Sequence, residues 1–133
     1  MPLVRIELLH GRTAAQRRRI GDGVHRALVE TIGVPALDRF QVITEHSEND
    51  LVYDRQYLGI KRTDGIVIIQ ITLSGGRTLE QKRSLYRRIA DNLVALDVRR
   101  EDVWINLVEV ARENWSFGLG EASYAPAREK VPA

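Results

Sequence analysis

A six-residue pattern, Gly-Arg-Thr-x-x-Gln, occurs twice in this chain of 133 residues, first at Gly11 and again 65 positions later at Gly76. When the first half is shifted by 65 positions, the hydrophobic residues between Leu3 and Ile43 fall on hydrophobic residues of the second half without a gap. A match in hydrophobic phase over so long a segment indicates an internal duplication. The fold is therefore restricted to architectures that are built from two copies of one unit.

The repeated pattern has the features of a helix start. Thr13 and Thr78 follow Gly-Arg, and Gln16 and Gln81 stand three residues further on. This is the spacing of a capping box, in which the threonine and the glutamine side chains each accept from the other residue's backbone N–H. Apolar residues then recur every four positions, which predicts one buried stripe on each helix. The segment 33–35, Gly-Val-Pro, predicts the end of the first helix.

Short segments rich in apolar and β-branched residues flank each predicted helix and predict strands, namely LVRIELL, RFQVIT, IVIIQITL and DVWINLVEV. The predicted fold class is α/β, also described as α+β. Duplicated β-α-β units at about 2–45 and 66–110 form a four-stranded mixed sheet with two helices on one face, and strands are parallel within each unit. Glu45–Gly65 is predicted to be a loop, with a short strand or hairpin as an option. We expect a single domain, 1–125, and a loose C-terminal tail, 126–133.

Composition excludes several classes of protein. The sequence has no run of about 18 apolar residues and no signal-peptide pattern, so we expect no membrane segment and a cytoplasmic location. Zero cysteines remove disulfides, thiolate catalysis and zinc–thiolate sites. The net charge is only +2, and acidic residues are mixed among the arginines, which predicts no nucleic-acid partner. The histidines lack metal-ligand spacing, and no nucleotide-binding motif is present, so we predict no metal and no cofactor.

Pro2 directly follows the initiator methionine and precedes an apolar strand. A small second residue permits removal of Met1, and the mature chain would then begin with a secondary amine. Free α-amino groups titrate close to neutrality. Apolar surroundings or nearby cations lower the pKa of such an amine, whereas a nearby carboxylate raises it. Pro2 is therefore a candidate acid or base, although Met-Pro starts also occur without any catalytic role.

The segments MPLVRIELLHGRT, GGRTLEQK and ENWSFGLGEASY, together with the doubled β-α-β unit, resemble the tautomerase superfamily. Within it they resemble the malonate semialdehyde decarboxylase-like branch. The resemblance runs from Pro2 to about Tyr124 and implies a tautomerase-like fold. It also implies a catalytic N-terminal proline and a homotrimer of chains that each contain a fused pair of units.

The resemblance implies catalytic roles for three residues. Pro2 matches the catalytic proline, and Asp38 matches an aspartate that lies near the proline and helps to position water or substrate. Arg77 matches the second of two arginines that bind the substrate carboxylate. Gly75 stands where the decarboxylase branch has the first arginine, and this departure argues against decarboxylation of malonate semialdehyde.

Three aromatic residues are the candidates for substrate binding. Trp115 and Phe117 match aromatic residues near the family's pocket, and Tyr124 closes the same segment. Aromatic residues also anchor subunit interfaces, so these side chains could serve packing alone. We expect the segment 115–124 to reach a neighbouring subunit.

The residues themselves distinguish the two halves. Arg77 stands at a predicted helix start, where free N–H groups already favour an anion and a guanidinium can bind a carboxylate in a bidentate manner. Its repeat-mate Arg12 has the same local setting. At the repeat position of Pro2, however, stands Val67, which has no free amine.

These observations predict a small enzyme that acts on a 2-oxo acid or an unsaturated carboxylate. Keto–enol tautomerisation is favoured, with Pro2 moving the proton and Arg77 holding the carboxylate. One alternative is a malonate semialdehyde decarboxylase-like decarboxylase or hydratase, with Pro2 as general acid and Asp38 positioning water. A second alternative is a non-catalytic trimeric binding protein.

Overall fold

The computed structural model describes residues 1–125, so the predicted loose tail at 126–133 lies outside the described residues. The main elements follow the chain in the order β1, α1, β2, β3, α2, β4. Their bounds are β1 Leu3–Leu9, α1 Ala14–Ile32, β2 Phe40–His46, β3 Val67–Ser74, α2 Leu79–Val94 and β4 Val103–Val110.

The four strands form one sheet in the order β2-β1-β3-β4. Strand β1 is parallel to β2, β3 is parallel to β4, and the two halves join through an antiparallel pairing of β1 with β3. This arrangement confirms the predicted mixed sheet of two β-α-β units. Strands β2 and β4 form the two edges.

Both helices contribute to one core on a single face of the sheet. Alternate residues of β1 and β3 are buried because successive side chains of a strand point to opposite faces. The helices bury the predicted stripes with a spacing of four. Each fully buried aliphatic side chain contributes on the order of 1.5–3 kcal/mol relative to an exposed one. The central core residues are Val4, Ile6, Leu8, Ile20, Val24, Leu28, Ile69, Ile71, Leu85, Ile89 and Leu93.

The two helix starts form the predicted capping boxes. In α1 the Gln16 N–H donates to Thr13 Oγ1 at 3.1 Å, and the Thr13 N–H donates to Gln16 Oε1 at 2.8 Å. Thr78 and Gln81 make the same two bonds at the same distances. Helix α1 ends at Gly33, whose φ of 71° is the left-handed conformation that favours glycine.

The second strand of each unit departs from the gapless repeat that the sequence predicts. Leu3 pairs with Phe40, and its repeat-mate Ile68 pairs with Trp104, so the second strands correspond at an offset of 64. The connection between helix and strand is one residue shorter in the second half. This shift makes Asp102, rather than Val103, the structural counterpart of Asp38.

Each helix is also attached to the second strand of its own unit by an ion pair. Arg17 of α1 contacts Glu45 at 2.6 Å, and Lys82 of α2 contacts Glu109. The two pairs occupy corresponding positions in the halves. They therefore belong to the repeated architecture rather than to a site in one half only.

The connection between β2 and β3 contains one turn of 3₁₀ helix, Tyr57–Gly59, and no strand or hairpin within residues 47–66. The short strand or hairpin that the sequence analysis allowed as an option in this segment is therefore wrong. Side-chain contacts organise part of the loop, because Tyr53 and Arg55 both donate to Asp64, at 2.6 and 2.7 Å. These side-chain hydrogen bonds join two parts of the loop that no backbone ladder connects.

Candidate active site

The topology brings the start of β1 close to the loop that follows β3. Because β1 and β3 are antiparallel, Leu3 lies beside Thr72, and the chain leaves β3 only two residues later at Ser74. Because β1 and β2 are parallel, Asp38 precedes β2 at the same end of the sheet. The amino terminus, Asp38 and Arg77 therefore meet at this end.

The amino terminus is fixed by an ion pair at Met1 and by the burial of Pro2. The α-amino group of Met1 forms an ion pair with the Asp38 carboxylate, and both side chains are about one-fifth exposed, at 20% and 22%. Pro2 is buried between Met1 and the first residue of β1. Pro2 is thus enclosed while Met1 is present. Asp38 contacts Met1, the residue that precedes Pro2.

The electrostatic environment of this end acts on the terminal amine. Burial and, secondly, the positive charge of Arg77 lower the pKa of the Met1 α-amino group from its ordinary value. The Asp38 carboxylate opposes this shift because a negative charge stabilises the protonated amine. The net direction is downward, which favours a neutral amine able to accept a proton.

Arg77 is half-buried at the start of α2. Its Nη1 donates to the backbone oxygen of Ser74 at 2.7 Å, which folds the side chain back toward the end of β3. Gly76 has a φ of 111°, a conformation that a side chain disfavours, and so permits the turn into the helix. A Cβ at Gly75 would lie 3.1 Å from Glu109 Oε2, so an arginine here would emerge beside a carboxylate.

Ser74 is a polar residue of this end that sequence reasoning missed. It is only 3% exposed, and its Oγ accepts a hydrogen bond from Trp115 Nε1 at 3.1 Å while it donates to Met1 Sδ at 3.1 Å. The repeat contained a usable signal, because the counterpart of Ser74 in the first half is the apolar residue Leu9. A buried hydroxyl that interrupts an apolar repeat position calls for an explanation.

The three aromatic candidates form one cluster. Trp115 and Phe117 are stacked with ring centroids 5.4 Å apart, and Tyr124 meets Phe117 edge-on at 5.2 Å. Ser123 ties the segment together, because its N–H donates to Trp115 O at 3.1 Å and its Oγ accepts from the Phe117 N–H at 2.9 Å. Through Trp115 the cluster touches Ser74, whereas Phe117 and Tyr124 remain partly exposed.

The corresponding end of the second half is closed by the chain itself. Asp102, the counterpart of Asp38, is 1% exposed, and both of its carboxylate oxygens accept bonds from Thr63, at 2.7 and 2.5 Å. Arg12, the counterpart of Arg77, donates to Gly65 O at 2.7 Å. The chain runs on through this position, so no amine is available, and the carboxylate has no room for a ligand.

Two further features are absent from the described part of the chain. Residues 1–125 contain no group of three His, Cys, Asp or Glu side chains that could hold a metal ion. Among the same residues, no helix has the length and apolar character needed to cross a membrane. The charged groups that meet at the β1 start are an amine, a carboxylate and a guanidinium.

Comparison with known proteins identifies the family of this chain. A family model described as tautomerase enzyme matches residues 38–118, and a second model with the same description matches residues 2–59. The probable tautomerase YusQ of Bacillus subtilis (strain 168) is 42% identical over 123 residues, which cover 92% of this chain and 97% of that protein.

Solved structures show the same relationship. The FG41 malonate semialdehyde decarboxylase inhibited by 3-bromopropiolate has a TM-score of 0.87 and 42% identity, covering 92% of this chain and 93% of that one. A second malonate semialdehyde decarboxylase has a TM-score of 0.85 and 34% identity, with coverage of 91% and 94%. A symmetric trimer of fused 4-OT shares the fold at 20% identity and a TM-score of 0.75, with coverage of 92% and 99%. The chain therefore belongs to the tautomerase superfamily.

Proposed function

We propose that this protein catalyses proton transfer on a 2-oxo acid or an unsaturated carboxylate, most simply keto–enol tautomerisation, with Pro2 as the base once Met1 is removed. One observation carries the proposal: the amino terminus, Asp38 and Arg77 converge at the start of β1. The corresponding end of the second half has the arginine and the carboxylate but no amine, and it is closed.

Each residue has a defined task in this reaction. Arg77 binds the substrate carboxylate and places the adjacent carbonyl near the proline. The neutral Pro2 amine takes a proton from the carbon next to that carbonyl, and the enolate charge develops on the carbonyl oxygen near the guanidinium. Prolinium then returns the proton to this oxygen, which completes the enol and regenerates the base.

The direct test is an activity screen of protein whose amino terminus has been established by intact mass. We expect turnover of phenylpyruvate or another 2-oxo acid only in the fraction that lacks Met1, since retained methionine converts the Pro2 nitrogen into an amide. Acetylenic and haloacrylic acids belong in the same screen. Activity of the fraction that retains Met1 would rule out proline chemistry.

A decarboxylase or hydratase with Pro2 as general acid is the second candidate. The contact of Asp38 with the terminal ammonium favours it, because a carboxylate at this place stabilises the protonated amine and could orient water. The similarity to malonate semialdehyde decarboxylases points in the same direction. Gly75 argues against it, since this position lacks the arginine of the decarboxylase branch and a side chain here would lie beside Glu109.

The pH dependence of kcat/KM separates the two roles. A base role predicts a rate that rises with pH as the Pro2 amine loses its proton. Burial and Arg77 lower the pKa of the Met1 amine, and we expect the nearby positive charge of Arg77 to act in the same direction on the Pro2 amine. Asp38→Asn removes the opposing charge, so the pKa falls further and the limb moves to lower pH. Asp50→Asn, at an exposed position in the connection between β2 and β3, should leave the pH of this limb unchanged. A rate that falls along this limb would support the general acid.

We also propose that the protein is a homotrimer. The sheet face opposite the helices carries partly exposed apolar side chains, and the strands β2 and β4 leave two open edges. A fused 4-OT with the same fold is a symmetric trimer. The apolar residues of this face are Phe40, Val42, Trp104 and Val108, which are 56%, 41%, 43% and 37% exposed.

Sedimentation at micromolar concentration should give three times the mass of one chain. Trp104→Glu should shift the protein to smaller species, because a buried unpaired carboxylate opposes association. Val94→Glu, which adds the same charge at the end of α2, should leave the mass unchanged. A monomeric wild-type protein would contradict the assembly.

A further inference from the structure

We infer that Ser74 recognises the 2-oxo group of the substrate, with its hydroxyl hydrogen directed at the place where the carbonyl oxygen lies once Met1 is removed. This inference rests on the proposed function, because it assumes a processed amino terminus and a carboxylate held by Arg77. It adds a residue to the site on the basis of contacts that neither the repeat nor the family resemblance identifies.

The direction of the hydroxyl hydrogen follows from its two neighbours. Trp115 Nε1–H is donor only, so at 3.1 Å the Ser74 oxygen must be the acceptor in that bond. The single hydroxyl hydrogen is then free for Met1 Sδ, which lies 3.1 Å away. A thioether is a weak acceptor, so the bond to Met1 satisfies the buried hydroxyl hydrogen poorly. Removal of Met1 would release the donor toward the space that Met1 occupies.

The same residue also fixes the guanidinium. The backbone oxygen of Ser74 accepts from Arg77 Nη1 at 2.7 Å, so the hydroxyl and the guanidinium are held on one residue. In a 2-oxo acid the carboxylate and the carbonyl are on adjacent carbons. A carboxylate bound by Arg77 thus brings its own 2-oxo oxygen toward a donor that is attached to the same backbone.

Burial and polarisation make this donor effective. With Met1 in place Ser74 is 3% exposed, and its contact with Trp115 does not involve Met1, so part of this enclosure remains after processing. The Trp115 N–H that donates to the oxygen polarises the hydroxyl and strengthens it as a donor in turn. A preorganised donor of this kind stabilises the charge that develops on the carbonyl oxygen during enolisation. Ser74 would therefore act on the substrate itself, with Trp115 as its positioning residue.

The experiment compares two ligands that cannot undergo the proposed reaction. Phenylglyoxylate has a carboxylate and a 2-oxo group but no hydrogen on the carbon beyond that group, and phenylacetate has the carboxylate without the oxo group. For protein lacking Met1, we expect calorimetric Kd values to favour phenylglyoxylate by about three- to tenfold, the range of one hydrogen bond. Ser74→Ala should remove this preference and leave the phenylacetate Kd unchanged.

Three further variants sharpen the result. Trp115→Phe should weaken the preference, since the hydroxyl loses its orientation. Arg77→Ala should raise both Kd values together. Ser84→Ala, which removes an exposed hydroxyl on α2, should change neither. If the enzyme turns over a 2-oxo acid, Ser74→Ala should also lower kcat by about 10²-fold, as for other oxyanion donors.

The possible outcomes separate this inference from the proposed function. A wild-type protein without a preference for phenylglyoxylate overturns the inference, as does a Ser74→Ala variant that retains the preference. Equal loss of affinity for both ligands would assign Ser74 a structural role and also overturn it. If the preference depends on Ser74 but no 2-oxo acid is turned over, the recognition of the oxo group stands and the proposed reaction fails.

Discussion

Replacing Pro2 by alanine in the processed enzyme should lower kcat by a factor of about 10²–10⁴, the usual contribution of a positioned general acid or base. Alanine also leaves a free amine after removal of Met1, but a primary amine on a flexible backbone has neither the basicity nor the placement of the proline. The strand sets this placement, because Pro2 directly precedes Leu3, the first residue of β1.

The measurement is steady-state kinetics on protein whose mass shows loss of Met1. Circular dichroism should be unchanged, since Pro2 precedes β1 and contributes no ladder hydrogen bond. Unchanged kcat in the alanine variant would remove the proline from the mechanism, whichever reaction the enzyme performs.

Arg77→Ala should lower kcat/KM for a carboxylate substrate by about ten- to a hundredfold, because loss of a charge-assisted hydrogen bond costs on the order of 1.5–3 kcal/mol. KM should rise and kcat should fall, since in the proposed mechanism the guanidinium serves both the bound carboxylate and the developing enolate. Arg77 is half-buried beside the amino terminus, where its charge is little screened.

Arg12→Ala is the matched control in the other half. Arg12 donates to Gly65 O, and the carboxylate beside it is occupied by Thr63. We therefore expect little change in kcat/KM, and a loss of about 1 kcal/mol in the free energy of unfolding from the broken hydrogen bond. Equal effects of the two substitutions on activity would show that the halves are not functionally distinct.

The sequence predicts the architecture well because the fold depends on local signals. The capping boxes at Thr13 and Thr78 and the four-residue apolar spacing are properties of short segments, and each is confirmed. A comparison of the halves at a fixed offset of 65 does not align Asp38 with Asp102. The reason is that the chain from the helix start to the second strand is one residue shorter in the second half than in the first. Only the strand register reveals this correspondence.

The site is less predictable because its contacts are long-range. The motif at Pro2 and the resemblance identify Asp38 and Arg77, and the antiparallel pairing of β1 with β3 explains how they meet. Nothing local to Ser74 indicates that its hydroxyl contacts both Met1 and Trp115, which lie 73 and 41 positions away. Such a bond depends on the conformation of the segment after β4, for which the sequence offers no periodic signal.

The antiparallel junction between the halves has an evolutionary consequence. Each arginine lies at the strand start of the opposite half, with Arg77 beside Met1 and Arg12 beside Gly65. Neither half therefore contains all the residues of the candidate centre, and under the proposed function a single unit would need a second copy to form it. Before fusion the two copies have identical sequences, so a substitution changes both. After fusion each half can change independently. Selection can then refine one centre through substitutions in both halves, while the other, now internal to the chain, becomes part of the scaffold.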